Sequence, residues 1–126
     1  MIAGVGIDMI DVERIEHSIK KQSSFKELIF SENEIIYCES KKNKFQYYAA
    51  RFAAKEAFFK AIGTGWMKGT NFNEVEVAHD NKGKPELILN GDTKREISNL
   101  AIVKISVSLS HLKTIAAAVV IIETVS

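Results

Sequence analysis

Two carboxylates stand in this chain where apolar side chains would be expected. Between Phe45 and Gly65 the residues Phe45, Ala49, Phe52 and Phe59 recur at alternating steps of four and three, the spacing of one helix face; position 56 of that ladder is Glu56. A carboxylate in a buried stripe costs free energy unless something pairs with it. Lys55 and Lys60 are near in sequence, Lys60 at the favourable helical step of four, and a metal ion would serve as well. The second carboxylate, Asp8, interrupts an apolar run near its end. It reads either as a strand-ending turn residue or as a magnesium ligand. Magnesium takes oxygen ligands, keeps several waters, and needs only one or two protein carboxylates when phosphates supply the rest. Glu56 reads either as the ion-pair partner of Lys60 or as the second magnesium ligand, with Lys60 then free for phosphate oxygens or proton transfer.

The other reactive side chains say less. His111 follows Ser110 between two apolar runs and has the look of a loop histidine; His17 falls on an exposed helix face and His79 near a turn. Asp8, Glu56 and His111 lack zinc-ligand spacing. Cys38 is the single cysteine, which precludes an intrachain disulfide and suits a reducing cytosol. Glu32, Glu34 and Glu39 around it would raise its thiol pKa, so it is a poor nucleophile. There is no Gly-x-Ser-x-Gly elbow, Gly4-Val5-Gly6 lacks the third glycine of a dinucleotide fingerprint, and Gly63-Thr64-Gly65 follows its helix instead of preceding one, so it is no P-loop.

These residues need elements to carry them. Ile2 to Ile10 reads as a central, buried strand, with Val5, Ile7 and Met9 on one face and Ile2, Gly4, Gly6, Asp8 and Ile10 on the other. Gly4 and Gly6 would let a neighbouring backbone come close. Asp11 caps a helix from Val12 to about Lys21 with the stripe Val12, Ile15 and Ile19, leaving Arg14 and His17 pointing elsewhere. A short helix spans Ser24 to Phe30, and Ser31 with Glu34 forms a capping box opening a helix to about Ser40. After the polar tract 41–44 comes the long helix, Lys44 to Ile62, with Gly63 as its C-terminal cap. Phe72 to Ala78 and Glu86 to Leu89 form a hairpin about the turn 80–85; Asp92 to Leu100 is a short helix capped by Asp92 or Thr93; Ile102 to Leu109 and Ile115 to Val120 form a second hairpin. Trp66 has no assigned place.

The 126 residues, 46% hydrophobic and 26% charged, fit one soluble globular domain. A net charge of +1 gives no bulk argument for nucleic acid or membrane. Asp8 and Asp11 break the N-terminal apolar run early, against a signal peptide, and the longest apolar run, Ile115 to Ile122, is too short to span a bilayer. Charge is locally uneven: from Lys41 to Lys68 seven basic residues face one acid, seven minus one giving +6, which suits a phosphorylated ligand or an acidic protein surface as well as a solvated helix face.

Taken together, Gly6-Ile7-Asp8 leading to Arg14-Ile15, the block Arg51-Phe52-Ala53-Ala54-Lys55-Glu56-Ala57-Phe58-Phe59-Lys60-Ala61 with Gly63-Thr64-Gly65, and Ser108-Leu109-Ser110-His111 resemble the holo-[acyl-carrier-protein] synthases, the short type of 4′-phosphopantetheinyl transferase. The resemblance runs over essentially the whole chain and includes the turn from Asn81 to Pro85. It implies an α+β fold: a single small domain whose antiparallel-rich sheet packs on a long central helix, the 4′-phosphopantetheinyl transferase fold. It implies transfer of the phosphopantetheine arm of coenzyme A to a serine of apo acyl carrier protein for fatty acid biosynthesis, with release of adenosine 3′,5′-bisphosphate. It also implies a cytoplasmic homotrimer with active sites between subunits. By the family pattern Asp8 and Glu56 hold magnesium and act in catalysis; Lys60 contacts phosphate and assists catalysis; Arg51, Lys60, Gly63 and His111 bind coenzyme A; Arg14 meets the acidic carrier protein. Leu112 departs from the polar residue that relatives often carry after the histidine. On the residues alone, a magnesium-dependent nucleotide phosphohydrolase and a non-catalytic oligomeric binding module remain open.

Overall fold

The computed structural model describes residues 1–63 and 68–125; the Gly63-Thr64-Gly65 turn beyond Gly63, and Trp66, lie outside the described residues. Strand β1 (Ile2–Asp11) leads into helix α1 (Val12–Lys21), followed by α2 (Phe25–Ile29), α3 (Glu32–Glu39) and the long α4 (Lys44–Ala61). A 3-10 turn, Phe72–Glu74, precedes the hairpin β2 (Val75–His79) and β3 (Pro85–Leu89). Then come α5 (Gly91–Glu96), a 3-10 turn Ser98–Leu100, and the hairpin β4 (Ile102–His111) and β5 (Ile115–Thr124).

The main sheet is antiparallel with the order β1-β5-β4. This corrects the expectation that the first strand is central. β5 is the middle strand, and β1 is an edge strand with only one face covered. Its register sets Gly4, Gly6, Asp8 and Ile10 beside Ile122, Val120, Ala118 and Ala116 of β5, which in turn oppose Ile105, Val107, Leu109 and His111 of β4. These rows face α4. The opposite face of β1 shows Val5, Ile7 and Met9 at 60–68% exposure, so both faces are apolar yet one is open.

α4 lies across the inner face, against β1 and β5 above all. Contact is close because Gly4 and Gly6 carry no side chain: a methyl on Gly4 would overlap the carbonyl oxygen of Ala61, and one on Gly6 that of Ala57. The helix is buried almost all round, not along one stripe. Ala49, Ala50, Ala53, Ala54, Ala57, Phe58 and Phe59 are fully buried, whereas Phe45 and Phe52 are only half-buried. Gly63, at φ +84°, turns the chain beyond the helix end, in the left-handed conformation that glycine adopts at helix ends.

The capping box at Ser31 forms as expected: Glu34 N donates to Ser31 Oγ at 3.2 Å and Ser31 N to Glu34 Oε1 at 2.8 Å. The same Glu34 also receives Lys55 Nζ of α4 at 2.7 Å, both side chains being fully buried. Lys55 donates further to the carbonyls of Phe72 (3.0 Å) and Val75 (2.6 Å), and Val77 N donates to Glu34 Oε2 at 2.8 Å. Burial pushes the Lys55 pKa down, and Glu34 opposes that shift. One pair thus joins α3, α4 and the β2 hairpin. Lys55 is therefore not the partner of Glu56.

Smaller differences have local causes. The β2 strand starts at Val75, after a 3-10 turn, not at Phe72. α5 ends at Glu96, and neither Asp92 nor Thr93 caps it; the N-cap is Asn90, and Glu74 accepts from Asp92 N at 3.2 Å and Thr93 N at 3.0 Å. β4 extends through His111, which pairs with Ala116, so His111 is a strand residue and not part of a loop. Cys38 is fully buried and its thiol is pushed up to about 12, chiefly by burial, with Glu34 and Glu39 as lesser causes.

Two stability outcomes follow from this packing. Gly6→Ala forces β1 off α4 and should cost about 3 kcal/mol, the upper end for overpacking. Lys55→Met strands Glu34 as a buried, half-paired charge and should cost about 3–5 kcal/mol. Urea unfolding measures both, and a loss below about 1 kcal/mol in either would contradict these contacts.

Candidate active site

Asp8 sits on the inner face of β1, and α4 presents Glu56 and Lys60 four residues apart on one side of the helix. Lys60 Nζ donates to Asp8 Oδ1 at 2.9 Å and to the carbonyl of Ile7 at 3.1 Å. Lys60 is about half exposed and Asp8 largely covered, 52% against 15%, so this ion pair opens to solvent at the lysine end. The bond from Asp8 raises the Lys60 pKa, which keeps the ammonium charged.

Glu56 is half-buried. Burial first, and the negative charge of Asp8 second, hold its carboxyl above the usual range, while Lys60 and Arg14 pull the other way. Two carboxylates therefore share a field in which the one ammonium is bonded to Asp8. Arg14, exposed on α1, completes the group electrostatically. The structure thus brings Asp8, Glu56, Lys60 and Arg14 together from β1, α4 and α1.

The donor set suits a hard divalent cation: two carboxylates on rigid elements, with one already repelling the other. Among the described residues no group of three or more His, Cys, Asp or Glu side chains is gathered for a metal, so further oxygens would have to come from water or from a phosphorylated ligand.

Arg51 and His111 form a second group. They line a cleft of about 200 Å³ with Tyr37, Tyr47, His79 and Pro85. Arg51 is only 2% exposed, and its Nη1 donates weakly to the Tyr47 carbonyl at 3.4 Å. Arg51 Nε and His111 Nδ1 are buried and have no hydrogen-bond partner among the described residues. Such groups ordinarily find partners, so both are open to a bond from water or from a polar ligand. The His111 ring meets Tyr47 edge-on at 4.9 Å, and the Tyr37 ring lies under the Arg51 guanidinium at 4.3 Å.

The two groups lie on different sides of α4. Five residues separate Arg51 from Glu56, about 140° around a helix, and nine separate Arg51 from Lys60, about 180°. The sheet repeats this separation: Asp8 is on one edge strand, His111 on the other, with β5 between them. Gly63, placed beyond the end of α4, is near neither carboxylate by any contact described. Tyr37, Tyr47 and His79 are cleft residues that sequence reasoning missed. Tyr47 had a signal, being four residues before Arg51 on the same helix; Tyr37 and His79 arrive from α3 and β2 and had none.

A family model described as the 4′-phosphopantetheinyl transferase superfamily matches residues 4–120. A holo-[acyl-carrier-protein] synthase of Solibacter usitatus is 45% identical over 124 residues, 98% of this chain and 99% of that protein. The chain belongs to the holo-[acyl-carrier-protein] synthases, within that superfamily. The Neisseria meningitidis synthase structure superposes with a TM-score of 0.88 at 32% identity, covering 98% of this chain and 100% of that one. The Bacillus anthracis synthase, solved in complex with CoA (3′,5′-ADP), superposes at 0.81 with 38% identity and 99% coverage of both chains. The small α+β architecture is that of these synthases.

Because the Glu56 pKa is raised, its protonated form is favoured in the folded state. Its ionisation penalty is absent below the ordinary carboxyl range and appears as pH rises through the raised pKa. Glu56→Gln should therefore unfold at a higher temperature than the parent at pH 7.5 and show no such gain near pH 4. Calorimetry at the two pH values checks this; a lower melting temperature at pH 7.5 would make Glu56 a structural residue.

Proposed function

We propose that this chain transfers the 4′-phosphopantetheine arm of coenzyme A to a serine of apo acyl carrier protein, giving the holo carrier and adenosine 3′,5′-bisphosphate. The carrying observation is the convergence of Asp8, Glu56 and Lys60 from β1 and α4, with Arg14 of α1 beside them. Family membership and the coenzyme A complex of the Bacillus anthracis relative support the substrate.

The carrier serine attacks the β-phosphorus of the coenzyme A pyrophosphate. A bond forms from serine oxygen to phosphorus, and the bond from phosphorus to the bridging oxygen breaks, releasing adenosine 3′,5′-bisphosphate. Negative charge gathers on the phosphoryl oxygens and the departing phosphate. Lys60, kept charged by Asp8, stabilises that charge. Glu56, a carboxylate in the same cluster, takes the serine proton. Asp8 and Glu56 would also hold magnesium, which when bound neutralises charge on the pyrophosphate oxygens. Residues 1–126 act as one catalytic domain in this reading.

Arg51 and His111 supply cation and donor to the nucleotide half of coenzyme A, their unpartnered Nε and Nδ1 atoms awaiting its oxygens. Gly63, at the end of α4, is a further contact for coenzyme A in this reading. Arg51 and Glu56 point away from each other, so the two halves of one ligand are best served by two copies of the chain. The outer face of the sheet supports this: Val5, Ile7 and Met9 form an exposed apolar row on β1 beside Val119 and Ile121 of β5. We place three copies around that face, with an active site at each junction. The acidic carrier protein docks along α1 through Arg14, which borders an open hollow of about 950 Å³ together with His17 and Lys113 and with the acids Asp11, Glu13 and Glu16. The setting inferred is fatty acid biosynthesis in the cytoplasm; among the described residues no helix is long and apolar enough to cross a membrane.

Incubation with coenzyme A, magnesium and apo carrier protein should add one phosphopantetheine to the carrier by mass spectrometry, and Asp8→Ala and Arg51→Ala should each lower the rate at least about a hundredfold. Mixing the two inactive variants under subunit exchange should restore part of the activity, because one junction then holds an intact Asp8 and an intact Arg51. Cleavage of coenzyme A without a carrier would sink the transferase reading, and failure of complementation in a mixed trimer would sink the shared site.

A further inference from the structure

Arg51 presents a physical problem that the transfer reaction does not by itself explain. It is a cation 2% exposed, and among the described residues no carboxylate lies within ion-pair distance of it or of Lys41. A buried, unpaired charge is expensive. Lys55, also a cation, is close enough to influence it unfavourably. What meets the guanidinium is the ring of Tyr37, 4.3 Å from its carbon to the ring centroid. Lys41 Nζ is 4.7 Å from the same centroid. His79 stacks on Tyr37 at 5.0 Å with 30° between planes, and Tyr47 meets it edge-on at 6.0 Å. One aromatic ring is therefore the common neighbour of two cations without a carboxylate partner and of a histidine; Tyr37, Arg51 and His79 line one cleft, and Lys41 reaches the same ring.

We propose that Tyr37 is a positioning residue for coenzyme A binding: its ring holds the Arg51 guanidinium, with Lys41 at the same ring, without neutralising either, so that Arg51 remains free for an anionic group of the nucleotide. A carboxylate in the same place would hold Arg51 equally well but would cancel its charge and repel the ligand. The ring attracts cations through its quadrupole and leaves their N–H donors free. Tyr37 is itself fixed because it lies one turn along α3 from Glu34, which Lys55 anchors to α4. The identity of the ligand rests on the transferase reading above; the role of the ring in orienting Arg51 rests on the contacts of Tyr37.

The test is steady-state kinetics on the full chain with coenzyme A and apo carrier protein. Tyr37→Leu, which removes the ring, should raise KM for coenzyme A about tenfold, leave kcat at saturation within about twofold, and leave KM for the carrier unchanged. Tyr37→Phe, which keeps the ring, should retain KM within about twofold. In an Arg51→Ala background Tyr37→Leu should add nothing further, since the two act as one unit. Tyr37→Met serves in place of Tyr37→Leu if that variant does not fold. The proposal is overturned by unchanged KM in the ring-less variant, by loss in kcat alone, by Phe being as damaging as Leu, or by full additivity with Arg51→Ala. Absence of wild-type turnover with coenzyme A would instead overturn the transferase reading, whatever the variants do.

Discussion

The backbone contact between β1 and α4 is the constraint on which the site depends. Gly4 and Gly6 let the strand lie directly on the carbonyls of Ala61 and Ala57, closer than any side chain permits. That approach sets Asp8, two residues beyond Gly6, within hydrogen-bond reach of Lys60 and within the electrostatic field of Glu56. A strand standing off by the thickness of one methyl would move Asp8 away from both. The alanines of α4 serve the same end, since a helix buried nearly all round must be narrow where the sheet meets it.

A second tie acts from the other side of the helix. The buried Lys55–Glu34 pair, with its bonds to Phe72, Val75 and Val77, fastens α3 and the β2 hairpin to α4. Desolvating both charges offsets much of their attraction, so the pair contributes geometry more than stability. It fixes where Tyr37 and His79 stand relative to Arg51. The same helix thus carries two candidate-site edges: one defined by glycine contact, bearing Glu56 and Lys60, and one defined by a buried ion pair, bearing Arg51. The first gathers carboxylates, the second gathers uncompensated cations.

Much of this was legible in the sequence, where the cause is local. The capping box at Ser31, the long helix ending before Gly63, the two hairpins and the close approach at Gly4 and Gly6 all follow from short-range pattern. Glu56 was visible as a break in an apolar ladder, and Asp8 as a break in a strand. What was not legible depends on distant pairing. Lys55 is adjacent to Glu56 in sequence, yet it reaches 21 residues back to Glu34. β1 reads as a central strand because both its faces are apolar, but strand order is set by β5 inserting between β1 and β4. The exposed apolar row Val5, Ile7 and Met9 accounts for the reading, since an edge strand apolar on both faces has the residue pattern of a central one. Glu74 capping α5 from outside is a further case in which the partner is far along the chain.

A crystal structure of the chain with coenzyme A and magnesium tests the central claim most directly. The metal should lie between the carboxylates of Asp8 and Glu56, with Lys60 on the phosphoryl oxygens and the nucleotide half against Arg51 and His111 of a neighbouring copy. A metal bound away from Asp8 and Glu56, or a nucleotide seated outside the Arg51 cleft, would contradict it.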